Sequence, residues 1–255
     1  MMENSFIWEN LKFFIDTLKS LPVSESLTLT PNGSYCVSTG TYSENWVYYP
    51  ERITSSENVN EAVRFFEERG ETFMWPVYDG GSEILEGAGL EYSGDVTAMC
   101  FSPKNAGDNF TAHGNVNTLV IEQVFSREMA DVWADTSFRG FGGEGDAPEE
   151  YYRFVRSLAA DRKGIFLSAA KVGGEYAGTF LVTDEPDMMG VYYFAVRPEF
   201  RRRGIARAMM NEICTLAAGK RIVLQSTPMG RDFYKAFGFE ELFRIPVFST
   251  DKDIL

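Results

Sequence analysis

Apolar residues recur at helical spacing near the start of the chain. Phe6, Ile7, Leu11, Phe14, Ile15 and Leu18 fall on one side of FIWENLKFFIDTLKSLP and predict an amphipathic helix. A second helical pattern runs through NVNEAVRFFEERG, just after the apolar, aromatic stretch WVYYP. Between Ser102 and Thr118 the chain is polar, rich in Gly and Asn and without period, which predicts a linker. Beyond it the pattern sharpens. Leu119 to Val124 alternates as a strand, and Ser126 is placed to cap a helix from Arg127 to Thr136. A glycine-rich loop, SFRGFGGEGDAPEE, leads into a helix over Glu149–Asp161. Strands at Ile165–Lys171 and Tyr176–Thr183 are joined by a Gly173-Gly174 hairpin turn. A strand at Val191–Val196, a helix over 204–217, a strand over 221–225, a helix over 229–237 and a strand near Leu242–Phe248 follow. This order predicts an α/β protein built on a mixed sheet.

The most informative segment is GVYYFAVRPEFRRRGIAR, residues 190–207. It reads as a strand, a tight turn carrying Arg201, Arg202 and Arg203, and a helix whose apolar face holds Ile205, Ala208, Met209, Ile213 and Leu216. Backbone N–H groups at a helix N-terminus lack intrahelical partners and carry about half a positive charge, so such a turn cradles anions. Gly204 lets the backbone approach a ligand closely and Ala206 keeps the next position small. The arrangement asks for a phosphate or pyrophosphate. Taken alone, it also fits a solvated basic turn.

The string Val196-Arg197-Pro198 followed by Arg201, Gly204 and Ala206 resembles the cofactor motif of the GNAT superfamily of acyl-CoA-dependent N-acetyltransferases, Gln/Arg-x-x-Gly-x-Gly/Ala. Downstream, Tyr234, Gly238 and Phe239 match that family's Tyr-x-x-x-Gly-Phe helix end. Thr227 and Gly230 stand where the family usually has Asn and Ala. The resemblance implies the α+β mixed-sheet GNAT fold over about 119–250 and acetyl-CoA as co-substrate, without a metal. It also implies transfer of an acetyl group by direct attack of a primary amine of a small molecule or peptide. By the same resemblance Phe194, Ala195 and Val196 bind the pantetheine arm, and the amides from Arg202 through Ile205 and Ala206 to Arg207 hold the pyrophosphate. The Arg201–Arg203 side chains neutralise its charge, Thr227 and Gly230 border the arm, and Tyr234 protonates the leaving thiolate. A backbone N–H near Val196 is the implied oxyanion donor. The glycine-rich segment would cover the acceptor, making Phe138, Phe141, Glu144 and Asp146 lining candidates. Glu144, Asp146, Asp184 and Glu185 are candidate bases. By itself Tyr234 reads as helix core; its spacing from the arginine turn assigns it a function.

An offset of 149 (238 minus 89) lays Gly89 on Gly238, Gly81 on Gly230 and Phe73-Met74-Trp75 on Ile222-Val223-Leu224. This predicts a degenerate GNAT-like copy over 1–103, a linker over 104–118 and the acetyltransferase domain over 119–255. The first copy lacks the chemistry: Arg52, Ser55, Glu57 and Leu85 stand where the second has Arg201, Gly204, Ala206 and Tyr234.

Charge and composition narrow the partners. The net charge of −13, with 37 acidic against 24 basic residues, argues against a nucleic-acid binder and suits a cationic acceptor. No apolar run spans a bilayer and no signal-peptide pattern opens the chain, so a cytoplasmic monomer or homodimer is expected. Cys36, Cys100 and Cys214 lack metal spacing and read as reduced, buried thiols, and the sole histidine, His113, argues against a nucleophile–His triad. Two other readings stay open: a silent acyl-CoA sensor of the same fold, and a regulatory protein gripping another phosphate.

Overall fold

The computed structural model describes residues 5–42, 44–103, 119–161 and 163–254. The predicted linker 104–118, with His113, lies outside the described residues. The chain divides into two compact units that interleave in sequence. Unit 1 holds residues 1–99, 225–233 and 241–255; unit 2 holds residues 100–224 and 234–240.

Unit 1 opens with α1 (Ser5–Ser20), whose predicted apolar side is buried at Ile7, Leu11, Phe14, Ile15 and Leu18. Strands β1 (Glu25–Thr28), β2 (Tyr35–Ser38) and β3 (Trp46–Tyr48) form an antiparallel meander. Helix α2 (Ser56–Glu67) follows, then β4 (Trp75–Pro76), α3 (Ser82–Gly87) and β5 (Glu91–Phe101). A buried Asn45 ties the β3 entry in place: its Oδ1 accepts the Thr39 N–H at 2.8 Å and its Nδ2 donates to the Thr72 carbonyl at 2.8 Å. Phe66, Phe73 and Trp75 are fully buried, with Phe66 and Phe73 stacked at 4.3 Å.

The C-terminal strand β11 (Glu240–Ser249) lies between β4 and β5 and pairs antiparallel with β4, Phe248 opposite Trp75. Phe248 is buried in the same core as Phe66, Phe73 and Trp75. The sequential division expected at 104–118 therefore differs from the compact units, because the last strand satisfies its main chain and buries its apolar side in unit 1.

Unit 2 contains β6 (Leu119–Gln123), α4 (Arg127–Gly140), α5 (Glu149–Ala160), β7 (Ile165–Val172), β8 (Glu175–Asp184) and β9 (Met188–Val196). After them come α6 (Ile205–Ala217), β10 (Arg221–Ser226) and α7 (Pro228–Phe237), which carries residues of both units. The strands run in the order β10-β9-β8-β7-β6, antiparallel except for the parallel β9·β10 pair. Gly173 and Gly174 both take positive φ (60° and 93°), the two left-handed positions the tight β7–β8 hairpin demands. Ser126 caps α4 as expected, its Oγ accepting the Met129 N–H at 3.2 Å. That helix runs to Gly140, one turn beyond the expected Thr136, because its last residues pack on β9. An added Cβ at Gly140 would stand 2.7 Å from Ala195 Cβ.

Candidate active site

The site grows from β9. At its start β9 is paired on both sides: Met188 to Gly190 lie beside Arg221 to Val223 of β10 and opposite Asp184 to Thr183 of β8. The parallel pairing with β10 stops at Gly190 and Val223. From Val191 to Val196, β9 runs on beside β8.

The β8 ladder also breaks. Thr179 pairs with Ala195 and Leu181 with Tyr192, so Phe180 alone stands opposite Tyr193 and Phe194. Tyr193 absorbs the extra residue with φ at 48°, a left-handed conformation costing a non-glycine residue about 1–2 kcal/mol. Its ring is held among aromatic neighbours: Trp133 at 5.6 Å, Phe154 at 6.3 Å and Phe141 at 6.4 Å between centroids. The Thr179 hydroxyl donates to the Tyr193 carbonyl at 3.3 Å. Such a bulge twists a strand and withdraws main-chain groups from its ladder. The aromatic run YYF hides it in the sequence, because every residue there is a good strand former.

Past Val196 a single 3-10 turn, Pro198–Phe200, leads to the arginine turn. Arg202 is left-handed at φ 61°, and Gly204 caps α6 at φ 80°. Gly204 has no side chain to bond the first-turn amides, and that turn carries no acidic residue. Ile205 is buried beneath it and Ala206 is half-buried. The Arg203 and Arg197 guanidinium groups lie over the Phe200 ring, and Arg207 lies over Phe237 at 5.4 Å. The result is a helix N-terminus with open amides and exposed arginines, which suits a diphosphate. Arg201 differs from its neighbours. Its Nε donates to the Val196 carbonyl at 2.9 Å and its Nη2 to the Gly140 carbonyl at 2.8 Å.

Tyr234, on α7, is buried with its ring 5.9 Å from that of Phe194 and 5.5 Å from Phe239. Burial pushes its phenol well above the ordinary tyrosine range. Unit 2 thus brings together Phe194, Ala195, Val196, Arg201 to Arg207 and Tyr234. Thr227 precedes α7 and Gly230 lies on it, both among the unit 1 residues.

The predicted acceptor-covering segment is pinned by α4 and α5. Arg139 Nε donates to the Gly145 carbonyl at 2.8 Å and its Nη2 to Asp146 at 2.9 Å. Asp135 accepts the Ala147 N–H at 2.9 Å and the Tyr152 hydroxyl. Burial and this carboxylate push the Tyr152 phenol up to about 12. Gly143 admits the Phe138 ring, which a Cβ would meet at 2.4 Å, and Phe141 is exposed beside Tyr193.

The acidic candidates separate. Asp184 pairs with Lys220 at 2.6 Å, and the Glu185 carbonyl accepts the same ammonium. Asp184 sits opposite Met189, five residues before Phe194. At about 3.3 Å per residue that is roughly 16 Å from the bulge. Asp146 is held by Arg139, which leaves Glu144 exposed in the loop. Burial raises the thiol of Cys214 to about 12 and that of half-buried Cys100 to about 11, so neither is a nucleophile at neutral pH. Among the described residues no His, Cys, Asp and Glu cluster suits a metal, and no helix is long and apolar enough to cross a membrane.

The fold is shared with known proteins. The structure superposes on a GCN5-related N-acetyltransferase from Kribbella flavida with TM-score 0.62 at 13% identity, covering 98% of this chain and 96% of that one. A tandem GNAT protein from the clavulanic acid biosynthesis pathway superposes with TM-score 0.59 at 14% identity, covering 97% and 95%. A GCN5-related N-acetyltransferase-like protein from Streptococcus suis gives TM-score 0.59 at 10% identity, covering 95% and 98%. Among curated proteins no sequence relative matches. Residues 121–239 match the family model described as Acetyltransferase (GNAT) family. The chain therefore carries a GNAT acetyltransferase domain over these residues, within a fold of the tandem GNAT kind.

Proposed function

We propose that the protein is an N-acetyltransferase that uses acetyl-CoA and acylates a primary amine of a small molecule or peptide by direct attack. The observation that carries this reading is the bulged end of β9 running into the N-terminus of α6, whose cap residue Gly204 makes no side-chain hydrogen bond. A strand edge fits the amides of a pantetheine arm, and helix N-terminal amides with nearby arginines fit its diphosphate. Acetyl-CoA would supply the activated acyl group. Phe194 to Val196 would hold the arm, and Arg202 to Arg207 the diphosphate through their main-chain N–H groups.

The remaining chemistry falls to this chain. A lysine-like amine must lose a proton, which at pH 7 costs about 4–5 kcal/mol from a pKa near 10.4. Glu144, exposed in the loop between α4 and α5, would assist or relay that proton through water. A main-chain N–H near Val196 would donate to developing negative charge on a carbonyl oxygen. Tyr234 holds its proton firmly because of burial, and delivers it to a departing thiolate beside Phe194. Free Cys36, Cys100 and Cys214 suit a reducing, cytoplasmic setting.

Thiol release from acetyl-CoA, followed across a panel of mono- and polyamines, tests the reading. Amine-dependent release with one acylated product supports it. Binding of acetyl-CoA without release on any amine would instead support a silent sensor of the same fold.

A further inference from the structure

Arg201 occupies the first position of the arginine turn and, though exposed, its side chain folds back onto two main-chain carbonyls. Its own N–H is bonded to the Pro198 carbonyl at 3.2 Å. Its guanidinium spans two main-chain carbonyls from different elements, Val196 at the end of β9 and Gly140 at the end of α4. The last carbonyls of a helix have no intrahelical partner, so the Gly140 carbonyl needs such a donor. The two elements meet closely there, where Gly140 has no room for a Cβ against Ala195. From Gly140 hangs the segment 141–147, drawn back onto α4 by Arg139 and Asp135.

We propose that Arg201 is a positioning residue that latches the acceptor-covering segment to the acyl-bearing end of β9, rather than a direct ligand of the diphosphate. The proposal rests on the acetyltransferase reading for its kinetic consequence, but the latch itself can be measured without turnover. A planar guanidinium with donors on two edges reaches both carbonyls; a lysine ammonium is a point donor and cannot hold both in this geometry.

The test compares Arg201→Ala, Arg201→Lys and Gly140→Ala in the full-length protein. CoA affinity is measured by calorimetry, hydrogen exchange at 140–147 by mass spectrometry, and acceptor KM and kcat by steady-state kinetics. With a latch, both Arg201 variants raise exchange at 140–147 about tenfold or more. CoA affinity then stays within about threefold in both, and acceptor KM rises more than kcat falls. Gly140→Ala gives the same loosening with the arginine intact, which also covers the case in which Arg201→Ala does not fold. The proposal is overturned if Arg201→Ala weakens CoA about tenfold, Arg201→Lys restores it, and exchange at 140–147 is unchanged in all three variants. A wild-type protein that binds CoA but acylates no amine would sink the enzymatic reading alone, since exchange and CoA affinity still decide the latch.

Discussion

The run helix, three strands, helix, strand, helix, strand occurs twice, from α1 to β5 and from α5 to β11, and the turns before α2 and α6 meet their first amides differently. Before α2, Ser55 is extended and its Oγ accepts the Asn58 N–H at 3.2 Å, while Glu57 adds a negative charge to the first turn. That helix N-terminus is satisfied from within and repels an anion. Before α6, Gly204 is left-handed and offers no cap, and no acidic residue stands in the first turn. Its first amides receive no side-chain cap. The preceding strands differ likewise. The β2·β3 pairing runs Tyr35–Tyr48, Cys36–Val47, Val37–Trp46 without a slip, whereas β8·β9 slips at Phe180 and strains Tyr193. The first of these strand pairs and helix starts is regular and capped; the second is bulged and capped by a left-handed glycine.

The hardest test of this comparison is to separate the halves. Residues 119–255 expressed alone should lose the cooperative melt of the whole chain, since Val247 and Phe248 pair with β4 and Phe248 is buried in the core of unit 1. Losing the burial of one such aromatic costs about 3–5 kcal/mol, a large share of a domain's total stability. A sharp calorimetric transition in the fragment, close to that of the intact chain, would show that the halves are independent after all.

Exchanging the character of the two caps comes next. Gly204→Val places a β-branched residue at φ 80° and crowds the cradle, so acetyl-CoA binding should weaken by about a hundredfold or more in calorimetry. Ser55→Ala should cost about 1 kcal/mol of stability through the lost cap and leave acetyl-CoA affinity unchanged. Equal CoA affinity in wild type and Gly204→Val would remove α6 as the anion site.

By the sequence offset of 149, Leu85 aligns with Tyr234, and a phenylalanine at 234 probes what the hydroxyl adds. Tyr234→Phe keeps the ring beside Phe194 and removes the proton, so kcat should fall at least about tenfold with CoA affinity little altered. An undiminished kcat would return Tyr234 to core packing.

The smallest effect is in the pH dependence. Burial raises the Tyr234 phenol above its unfolded value of about 10. Folding therefore favours the protonated form. The resulting stability is fully present below pH 10 and is lost as pH rises from there toward the folded value. In urea titrations from pH 8 to 11, Tyr234→Phe should gain on wild type only above pH 10, by up to about 1.4 kcal/mol per unit. A gain appearing already at pH 8 would contradict a buried, protonated Tyr234. The kcat profile should likewise lack an alkaline limb from this residue below pH 10.

Much of the fold was legible in the chain because short-range physics dictates it. Periodicity placed α1, α5, α6 and α7, Ser126 marked the start of α4, and paired glycines marked the β7–β8 turn. The turn into α6 was legible for the same reason: a glycine before an apolar helix, behind a Pro and three arginines, is a local pattern. Long-range pairing decided the rest. The alternation of β11 says that it is a strand, but only the structure sets it beside β4, since any apolar strand edge offers it the same hydrogen bonds. The bulge at Tyr193 depends on the register with β8, which is set by the whole sheet and not by the residues YYF. The length of α4 depends on Gly140 meeting Ala195, and the direction of Arg201 on two carbonyls that are 61 and 5 residues away. Local sequence specifies which groups are available; tertiary packing decides which of them are satisfied and which are left open to a ligand.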